Sequence, residues 1–363
     1  MAELDRILDT ISEWSQRDVR FALATVVGVR GSTYRGLTAR QLISSDGTSV
    51  GTVSGGCLDS DLHAVAAEVI ATSRAQLVEF DLTADDEAVW GWGIGCNGAT
   101  EVLVEPSAPA VELARAMADL FASHRPAALV HTLTGGIPGS RAIVTHGGVT
   151  GSLSSEMAAE ARALLGDGRH GIVEVGGVRA LVEVTGTRSR LIVCGAGHDA
   201  VPVVRYGAEL GFEVIVVDDR RQFLTRERFP QASALVHCEP RELGSAVDLD
   251  HRAHVVLMSH NYLRDVEYLR SALHGDPAYV GVLGPGERLR RLLHDVRSMD
   301  PEIRVLDRLF GPAGLDIGAE GPVEIAWAIM AEILAVRRGT VGGHLRSRKG
   351  PAELKTPNLM VRD

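Results

Sequence analysis

The chain of 363 residues is 45% hydrophobic and 23% charged, and a length of this order predicts about two or three packed domains. Its formal net charge of −10 weighs against broad electrostatic binding to nucleic acid, which requires a basic face. The first residues, Met1 to Asp5, are acidic where a secretory leader needs positive charge, and no apolar run approaches the ~18 residues of a membrane span, so we expect a cytoplasmic protein.

The first part of the chain predicts an α+β domain. Five runs of β-forming residues predict strands, at 21–29, 39–44, 49–53, 76–81 and 100–104. Apolar residues at helical spacing predict one helix over 3–16 and another from Leu58 to Val69. Two glycine-rich segments, Gly55-Gly56-Cys57 and Gly91 to Gly98, border these elements and indicate sites lined by backbone.

A similar plan follows between residues 127 and 185. Four strands are predicted there, at 127–132, 142–145, 171–175 and 179–184, with a helix near 156–165. We interpret residues 21–105 and 127–185 as a degenerate internal repeat within an N-terminal domain of residues 1–186. The second copy lacks both Gly-Gly-Cys and Gly-Cys-Asn-Gly. These segments of the first copy are therefore candidates for function and not for scaffolding.

From Arg190 onward strands alternate with helices, which predicts a parallel sheet covered on both faces. Five short apolar strands are expected, at 191–194, 213–217, 234–236, 253–258 and 278–283. Helices are predicted from Val203 to Leu210 and from Val323 to Val336. The expected fold class is α/β, with a Rossmann-type domain over 187–340 joined to the N-terminal α+β domain and followed by a flexible tail, 341–363.

The turn Gly195-Ala196-Gly197-His198-Asp199-Ala200 fits the pattern G-x-G-x-x-A between a predicted strand and a predicted helix. Gly195 permits a tight turn, and Gly197 lets backbone N–H groups approach an anion. The N-terminus of the following helix adds the positive end of its dipole. The turn therefore predicts a nucleotide-like or phosphate site. The alternative is a Rossmann scaffold whose turn holds no ligand.

Other polar residues are expected at the same edge of the sheet, where ligands of such folds bind. Asp218 and Asp219 end the second strand, a position from which an acid commonly binds ribose hydroxyls. His198 and His260 could donate to a phosphate or act as acid or base, and a structural role for each is equally open. Asp316 lies in a loop between two glycines, which indicates either a backbone-lined contact or a helix cap.

The four cysteines form no C-x-x-C pair, so a zinc site is not indicated; they are Cys57, Cys96, Cys194 and Cys238. Cys57 lies where a glycine turn becomes a helix, which favours a reactive thiolate, although Asp59 and Asp61 oppose the effect. Cys96 lies in a glycine loop where its side chain could be exposed. The alternative is that both are small residues buried in tight turns. Cys194 ends a core strand and is expected only to pack.

Taken together, these motifs resemble the XdhC/CoxI family, the xanthine dehydrogenase accessory factors, from about Ala24 to Glu332. Seven segments occur in the order of that family: Gly55-Gly56-Cys57, Gly95-Cys96-Asn97-Gly98, Glu101 to Pro106, Gly195-Ala196-Gly197-His198, Val217 to Arg220, Met258-Ser259-His260 and Gly314 to Gly318. Two segments depart from the family pattern. Residues 31–36 lack a proline, and Ser259-His260-Asn261 varies the usual Thr-His-Asp.

The resemblance implies a homodimeric accessory protein that binds the molybdenum cofactor (molybdopterin). Such a protein assists sulfuration of the cofactor and its insertion into a client molybdenum hydroxylase of the xanthine dehydrogenase or CO dehydrogenase type, with a cysteine desulfurase as a further partner. Cys57 and Cys96 become candidates for contacting molybdenum or a transferred sulfur. The cofactor-binding residues implied are Gly55, Gly56, Cys57, Gly95, Cys96, Asn97, Gly195, Gly197, His198, Asp218, Asp219, His260 and Asp316.

Two other functions stay open on the sequence. The glycine turn and Asp218 also fit an NAD(P)-binding oxidoreductase of Rossmann type, although nothing specifies its substrate pocket. The second is an inactive scaffold that docks a partner enzyme. Because the sequence contains no complete catalytic triad or metal ligand set, it favours a cofactor chaperone over a turnover enzyme, and no catalytic residue is assigned. The two glycine–cysteine loops are expected to face the Rossmann crevice.

Overall fold

The computed structural model describes residues 2–81, 98–123, 125–186, 188–303 and 307–347. The chain divides into two compact units, built mainly from Glu3–Thr187 and Arg188–Lys349. Two antiparallel sheets lie in the first unit, and a parallel sheet lies in the second. This is the expected combination of an α+β part and a Rossmann-type part, so the fold class is confirmed. No described helix has both the length and the apolar character needed to cross a membrane.

The first unit begins with a five-stranded sheet and two helices. In chain order the elements are α1 (Ala2–Gln16), β1 (Phe21–Gly31), β2 (Arg40–Ser44), β3 (Ser49–Gly51), α2 (Asp59–Thr72), β4 (Gln76–Asp81) and β5 (Gly98–Pro106). The strands lie in the order β3-β2-β1-β5-β4. Helix α2 buries Leu62, Ala66 and Val69 against one face of the sheet, where they join Val26 and Val102 in one apolar cluster.

The second half of this unit repeats the plan. Its elements are α3 (Ser107–Ser123), β6 (Ala127–Thr134), β7 (Arg141–Thr145), β8 (Gly148–Thr150), α4 (Ser155–Asp167), β9 (Gly171–Val175) and β10 (Val178–Thr185). The strand order β8-β7-β6-β10-β9 is that of the first sheet with five added to each number. Helix α4 begins after Ser154, whose hydroxyl accepts a hydrogen bond from the Met157 N–H. The structure thus has the degenerate internal repeat that the sequence predicts.

The two sheets pack on each other through an apolar layer and reciprocal ion pairs. The apolar layer consists of Val27, Leu103, Leu133 and Leu181. Arg40 at the start of β2 pairs with Glu183 of β10 at 2.5 Å, and Arg141 at the start of β7 pairs with Glu105 of β5 at 2.5 Å. In each case the arginine of one repeat meets the glutamate of the other. The interface therefore has the pattern of a two-fold symmetric dimer formed within one chain.

The second unit is a six-stranded parallel sheet with helices. Its elements are β11 (Arg190–Cys194), α5 (Ala200–Glu209), β12 (Glu213–Asp218), β13 (Ala234–His237), α6 (Leu243–Ala246), β14 (Ala253–Leu257), α7 (Tyr262–His274), β15 (Tyr279–Val282), α8 (Gly286–Met299), β16 (Leu309–Phe310) and α9 (Gly321–Arg337). The strand order is β13-β12-β11-β14-β15-β16. The chain leaves β11 in one direction toward β12 and later returns to its other side at β14. This reversal creates the crevice in which Rossmann-type folds bind ligands.

Several elements of the structure lie outside the sequence expectations, among them α3, α7, α8 and β16. Helix α8 shows why such an element is hard to predict from sequence. It is rich in arginine, and its fully buried residues are Leu292 and Val296. Such a narrow apolar stripe gives a weak periodic signal. Strand β16 has two residues, too few for an alternating pattern to be visible.

Candidate functional site

Strands β1, β3 and β4 of the first repeat all end at the same end of its sheet. Strands β3 and β4 run parallel to β1, since each is separated from it by two antiparallel pairings. The connections after these three strands span 32–39, 52–58 and 82–97, whereas their counterparts in the second repeat span only 135–140, 151–154 and 176–177. The scaffold is shared, so the added length belongs to the first repeat alone. This end of the first sheet is the candidate site that the unequal copies indicate.

Cys57 lies on the second of these connections, two residues before α2, and its side chain is exposed. The loop is held by Ser54, which is 4% exposed. The Ser54 hydroxyl accepts a hydrogen bond from the Gly56 N–H at 3.0 Å and donates to Asp59 Oδ1 at 3.1 Å. Gly56 has φ +105°, a left-handed conformation that favours glycine. The alternative that Cys57 is a small residue buried in a tight turn is wrong, because the side chain is exposed, and the reactive thiolate stays a prediction.

Glu3, in the first turn of α1, ties two of the connections together. Its carboxylate accepts a hydrogen bond from the Thr52 N–H at 3.2 Å and pairs with Arg35 at 2.5 Å. The neighbouring Tyr34 ring covers Gly55, where an added Cβ would lie 3.4 Å from the ring. Sequence reasoning missed Glu3, because nothing in a helical first turn signals a contact with a distant loop. Through these two contacts Glu3 holds the loop of Arg35 and the loop of Thr52 together.

A small cavity of ≈ 10 Å³ opens beside Cys57. Its lining consists mainly of hydroxyl-bearing and small residues from the two connections and from β5, namely Ser32, Thr33, Tyr34, Val53, Ser54, Cys57, Leu58, Gly98 and Thr100. A space of this size accommodates about one water-sized group. The cavity gives Cys57 a polar, partly enclosed setting that the sequence alone did not reveal.

The other glycine–cysteine segment, around Cys96, is not covered by the structure except for Gly98. Gly95, Cys96 and Asn97 lie outside the described residues, and their assignment to a ligand site stays a prediction. In the sequence Cys96 stands two residues before Gly98, which lines the cavity.

The glycine turn of the second unit lies at the carboxyl end of β11, as the sequence predicts. Gly195 has φ +120°, and a Cβ there would lie 2.6 Å from the Met258 carbonyl oxygen, so the turn is pressed against the end of β14. Among the described residues, the backbone N–H groups of Gly197, His198 and Asp199 donate to no protein acceptor. Uncommitted N–H groups at the start of a helix are suited to an anion.

His260 reaches this turn from the loop after β14. Its Nε2 lies 2.5 Å from Asp199 Oδ2, and the side chains are 62% and 15% exposed. His260 has φ 54°, which is uncommon for a residue other than glycine. Asp199 occupies the N-cap position of α5 without capping it, so its carboxylate is committed to the imidazole. The structure thus brings His260 to the turn, and adds Asp199, which sequence reasoning did not single out.

The loop that carries His260 is supported from beneath by a buried carboxylate. Asp265, 1% exposed, accepts a hydrogen bond from the Ser259 hydroxyl at 2.5 Å and another from Arg288 at 2.7 Å. Asn261 caps α7 by accepting a hydrogen bond from the Arg264 N–H. Charge-assisted bonds of this kind hold a loop in one conformation. The imidazole of His260 is therefore presented from a fixed support.

Asp218 has a different use from the one expected. Its carboxylate accepts hydrogen bonds from the Ala196 N–H at 2.7 Å and from the Arg220 N–H, Nε and guanidinium nitrogen at 2.8–2.9 Å. Burial acts to raise the pKa of Asp218, but the hydrogen bonds from Arg220 and Ala196 outweigh it and lower that pKa. All its acceptor positions are engaged within the protein. Asp218 closes the glycine turn and does not present an oxygen to a ribose.

Two further predicted residues, Asp219 and Asp316, differ in how far their side chains are engaged within the protein. Asp219 Oδ2 accepts a hydrogen bond from Arg264 Nε at 2.8 Å, while its Oδ1 is buried without a partner in the described structure. Asp316 is exposed on the loop between β16 and α9, where the neighbouring Leu315 N–H donates to the Ala328 carbonyl. Its assignment to a ligand site stays a prediction.

Cys194 and Cys238 belong to the core of the second unit. Cys194 is fully buried and Cys238 is 8% exposed, in one apolar cluster. Burial raises the pKa of the Cys194 thiol, and it raises that of Cys238 to about 11. Both are inert packing residues at neutral pH. Within the described residues, no group of three or more His, Cys, Asp or Glu side chains is placed to hold a metal ion.

Comparisons with known proteins agree with this two-unit arrangement. Residues 14–81 match the family described as "XdhC and CoxI family", and residues 191–333 match the one described as "XdhC Rossmann domain". A structure described as a xanthine dehydrogenase from Bacillus halodurans superposes with a TM-score of 0.77 at 28% identity, covering 94% of this chain and 98% of that one.

Two curated relatives are similar in sequence. A Bacillus subtilis protein described as a probable xanthine dehydrogenase subunit is 28% identical over 342 residues, which cover 93% of this chain and 98% of that protein. "Uncharacterized protein YqeB" of Escherichia coli is 33% identical over 178 residues, 49% of this chain but only 32% of that protein. The motifs, the two-unit fold and these matches lead to one conclusion: the chain belongs to the XdhC and CoxI family.

Proposed function

We propose that this protein is a cytoplasmic accessory factor for a molybdenum hydroxylase of the xanthine dehydrogenase type, and that it binds the molybdenum pterin cofactor during maturation of that enzyme. Family membership and the xanthine dehydrogenase relatives support the accessory role. The observation that carries the cofactor proposal is the exposed Cys57 beside a hydroxyl-lined cavity, at the one sheet end where the first repeat has gained chain length.

Each unit, taken by itself, has a group suited to one kind of atom found in such a cofactor. A thiolate is a soft ligand, so the Cys57 side chain suits contact with molybdenum. The N–H groups of Gly197, His198 and Asp199 suit a phosphate, and His260 stands beside them to donate a further hydrogen bond. The bound cofactor itself would supply the oxo and sulfido chemistry of the client enzyme. The chain's own residues bind and orient it, so we infer a chaperone and no turnover of a substrate.

The first experiment measures cofactor retention. The protein is produced in a host that makes the pterin cofactor, purified, and assayed for molybdenum by mass spectrometry and for pterin by fluorescence after oxidation. We expect both in the wild type, and loss of molybdenum in the Cys57→Ala plus Cys96→Ala variant. Cys238→Ala, at a buried cysteine, is the matched control and should retain both. Absence of molybdenum and pterin from the wild type rejects the proposal, and equal retention in the double variant rejects the thiol contact.

The dinucleotide alternative is weakened by Asp218. An acid that binds a ribose needs an accessible oxygen, and both oxygens of Asp218 are engaged by Ala196 and Arg220. We therefore expect calorimetric titration with NAD or NADP to give no heat of binding at micromolar concentrations. Binding in that range would favour the oxidoreductase.

Partners are part of the same proposal. We propose a molybdenum hydroxylase as the client, a cysteine desulfurase as the sulfur source, and a homodimer as the working state. Light scattering on the purified protein measures the oligomer, and co-purification with each tagged partner tests the associations. A monomer at micromolar concentration would contradict the homodimer.

A further inference from the structure

The strand registers show which residues of the two repeats are equivalent at the interface between the sheets. The register of β1 against β5 shifts at Val27, and that of β6 against β10 shifts at Leu133. Val27 and Leu133 are therefore equivalent, and both lie in the apolar layer between the sheets. The residue after each shift pairs with Glu101 on β5 and with Arg179 on β10. Glu101 and Arg179 thus occupy the same position in their respective repeats.

Although they are equivalent, Glu101 and Arg179 contact each other. The Arg179 guanidinium donates two hydrogen bonds, from Nη1 to Glu101 Oε1 at 2.8 Å and from Nη2 to Oε2 at 2.5 Å. A residue that contacts its own equivalent across a two-fold interface lies at the axis of that interface. In a pairing of two identical repeats, this position would bring like charges together. The ion pair forms because the two repeats differ at the axis.

Most of the remaining interface would suit two identical repeats. The apolar layer has aliphatic residues at equivalent positions, and the crossed arginine–glutamate pairs use the same residue types in both copies. The axis is different in the neighbouring strand as well. A Cβ at Gly28 would lie 2.7 Å from Glu101 Oε2, whereas the equivalent residue of the second repeat is Thr134. The first repeat therefore has room for the Glu101 carboxylate, and the axial charges distinguish the repeats.

We propose that the sheet face of each repeat that carries this interface accepts the unlike repeat and rejects a like one, and that Glu101 and Arg179 make the selection. Two chains that paired like repeats would place Glu101 against Glu101 and Arg179 against Arg179. These side chains are 20% and 29% exposed, and like charges opposed at an interface are costly. The selection keeps the first repeat with the second. It concerns assembly of the scaffold and is independent of the proposed function.

The first test exchanges the charges in the full-length protein. Glu101→Arg and Arg179→Glu each place like charges at the axis and should lower the urea midpoint of unfolding by about 0.5 M or more. The double variant with both changes restores opposite charges and should recover most of that loss. Arg17→Glu is the control, because it reverses a charge in the exposed pair with Glu13 and should shift the midpoint by less than about 0.3 M. Single variants as stable as the control, or a double variant no more stable than the single ones, would overturn the proposal.

The second test measures the selection itself, which a purely stabilising ion pair would not affect. Glu101→Gln plus Arg179→Gln removes both charges and leaves two side chains that can hydrogen-bond. Unfolded protein is refolded at increasing micromolar concentrations, and light scattering after size-exclusion chromatography measures the fraction in multimers larger than the native species. At the highest concentration this fraction should exceed that of the wild type by about fivefold or more, because pairing of like repeats is no longer penalised. The charge-exchanged double variant is the matched control and should refold like the wild type. Equal multimer fractions in the uncharged variant and the wild type would overturn the selection.

Discussion

Arg40 and Glu183, from different repeats of the first unit, form a buried ion pair in which the side chains are 3% and 5% exposed. The counterpart on the other side of the repeat interface is Arg141 with Glu105. Each arginine starts the second strand of its own repeat, and each glutamate lies on the last strand of the other repeat. The two pairs therefore hold the two sheets against each other in one fixed position. This relationship leads to the first two predictions.

Glu183→Gln should destabilise the protein strongly. The substitution removes the carboxylate that is hydrogen-bonded to the buried Arg40 guanidinium, and breaking a buried ion pair in this way typically costs about 3–5 kcal/mol. Urea unfolding followed by circular dichroism measures the change in free energy of unfolding. Glu13→Gln is the matched control, since Glu13 forms an exposed pair with Arg17 whose loss should cost less than about 1 kcal/mol. Equal stability of the two variants would argue against the ion pair as the element that fixes the sheets.

Acid should destabilise the first unit through His131. Burial lowers the pKa of His131 below its usual value of 6.5, so the folded protein keeps the imidazole neutral. Its Nδ1 accepts a hydrogen bond from Arg141 Nε at 3.2 Å, which places the proton on Nε2. As the pH falls below about 6.5, the unfolded chain binds a proton that the folded chain refuses, and stability falls.

The measurement for His131 is the slope of unfolding free energy against pH between about 7 and 5. One such proton contributes up to about 1.4 kcal/mol per pH unit. His131→Thr, which copies the equivalent Thr25 of the first repeat, should reduce that slope by about one proton. His254, whose pKa burial also lowers, contributes the same sense of change in the second unit and remains in both proteins. An unchanged slope in the variant would contradict the assignment.

The two glycines of the phosphate-type turn should respond differently to alanine. Gly195→Ala places a Cβ 2.6 Å from the Met258 carbonyl oxygen at φ +120°, so we expect a loss of roughly 2–4 kcal/mol from backbone strain and clash. Gly197→Ala meets mainly the Asp199 carboxylate, at 2.5 Å, and should fold while parting Asp199 from His260. Thermal unfolding compares the variants, with Gly36→Ala, which meets no neighbour, as control. Unfolding of Gly195→Ala at the same temperature as Gly36→Ala would contradict the tight packing of the turn against the Met258 carbonyl.

Asp218→Ala should lower the free energy of unfolding more than Asp316→Ala, because the Asp218 carboxylate is hydrogen-bonded within the fold and the Asp316 side chain is exposed. Asp218→Ala removes the acceptor for the Ala196 N–H and the partner of Arg220, a loss of about 1–3 kcal/mol. Asp316→Ala removes an exposed side chain and should change stability by less than about 0.5 kcal/mol. Denaturant titration of both variants is the measurement. The assignment of Asp218 to the turn fails if its variant is as stable as Asp316→Ala.

Much of the architecture was predictable because it rests on local patterns. The alternating β runs indicated nearly every strand, and the glycine turn before a helix indicated the Rossmann unit. The repeat was visible in the sequence because Val149–Leu153 echoes Val50–Ser54. Cys57, Gly195 and His260 were identified because glycine turns and strand ends place side chains at sheet edges.

The rest depended on contacts between distant segments. Asp218 illustrates the limit, because a carboxylate at a strand end looks the same whether it binds a ribose or the Ala196 N–H. Glu3, Asp199 and the crossed arginine–glutamate pairs act over separations in sequence that no local pattern records.

The unequal connections of the two repeats show where additional chain can be inserted without disturbing the scaffold. Both sheets keep their strands and their mutual packing, so chain can be inserted at the end of one sheet for little more than the entropy of closing a longer loop, about 0.6 kcal/mol per doubling of length. The two-residue connection Gly176-Gly177 shows the unelaborated form of the same position. A duplicated scaffold of this kind allows one copy to acquire new chemistry while the other preserves the ability to fold, and it marks Gly176-Gly177 as a natural point for grafting a second binding loop.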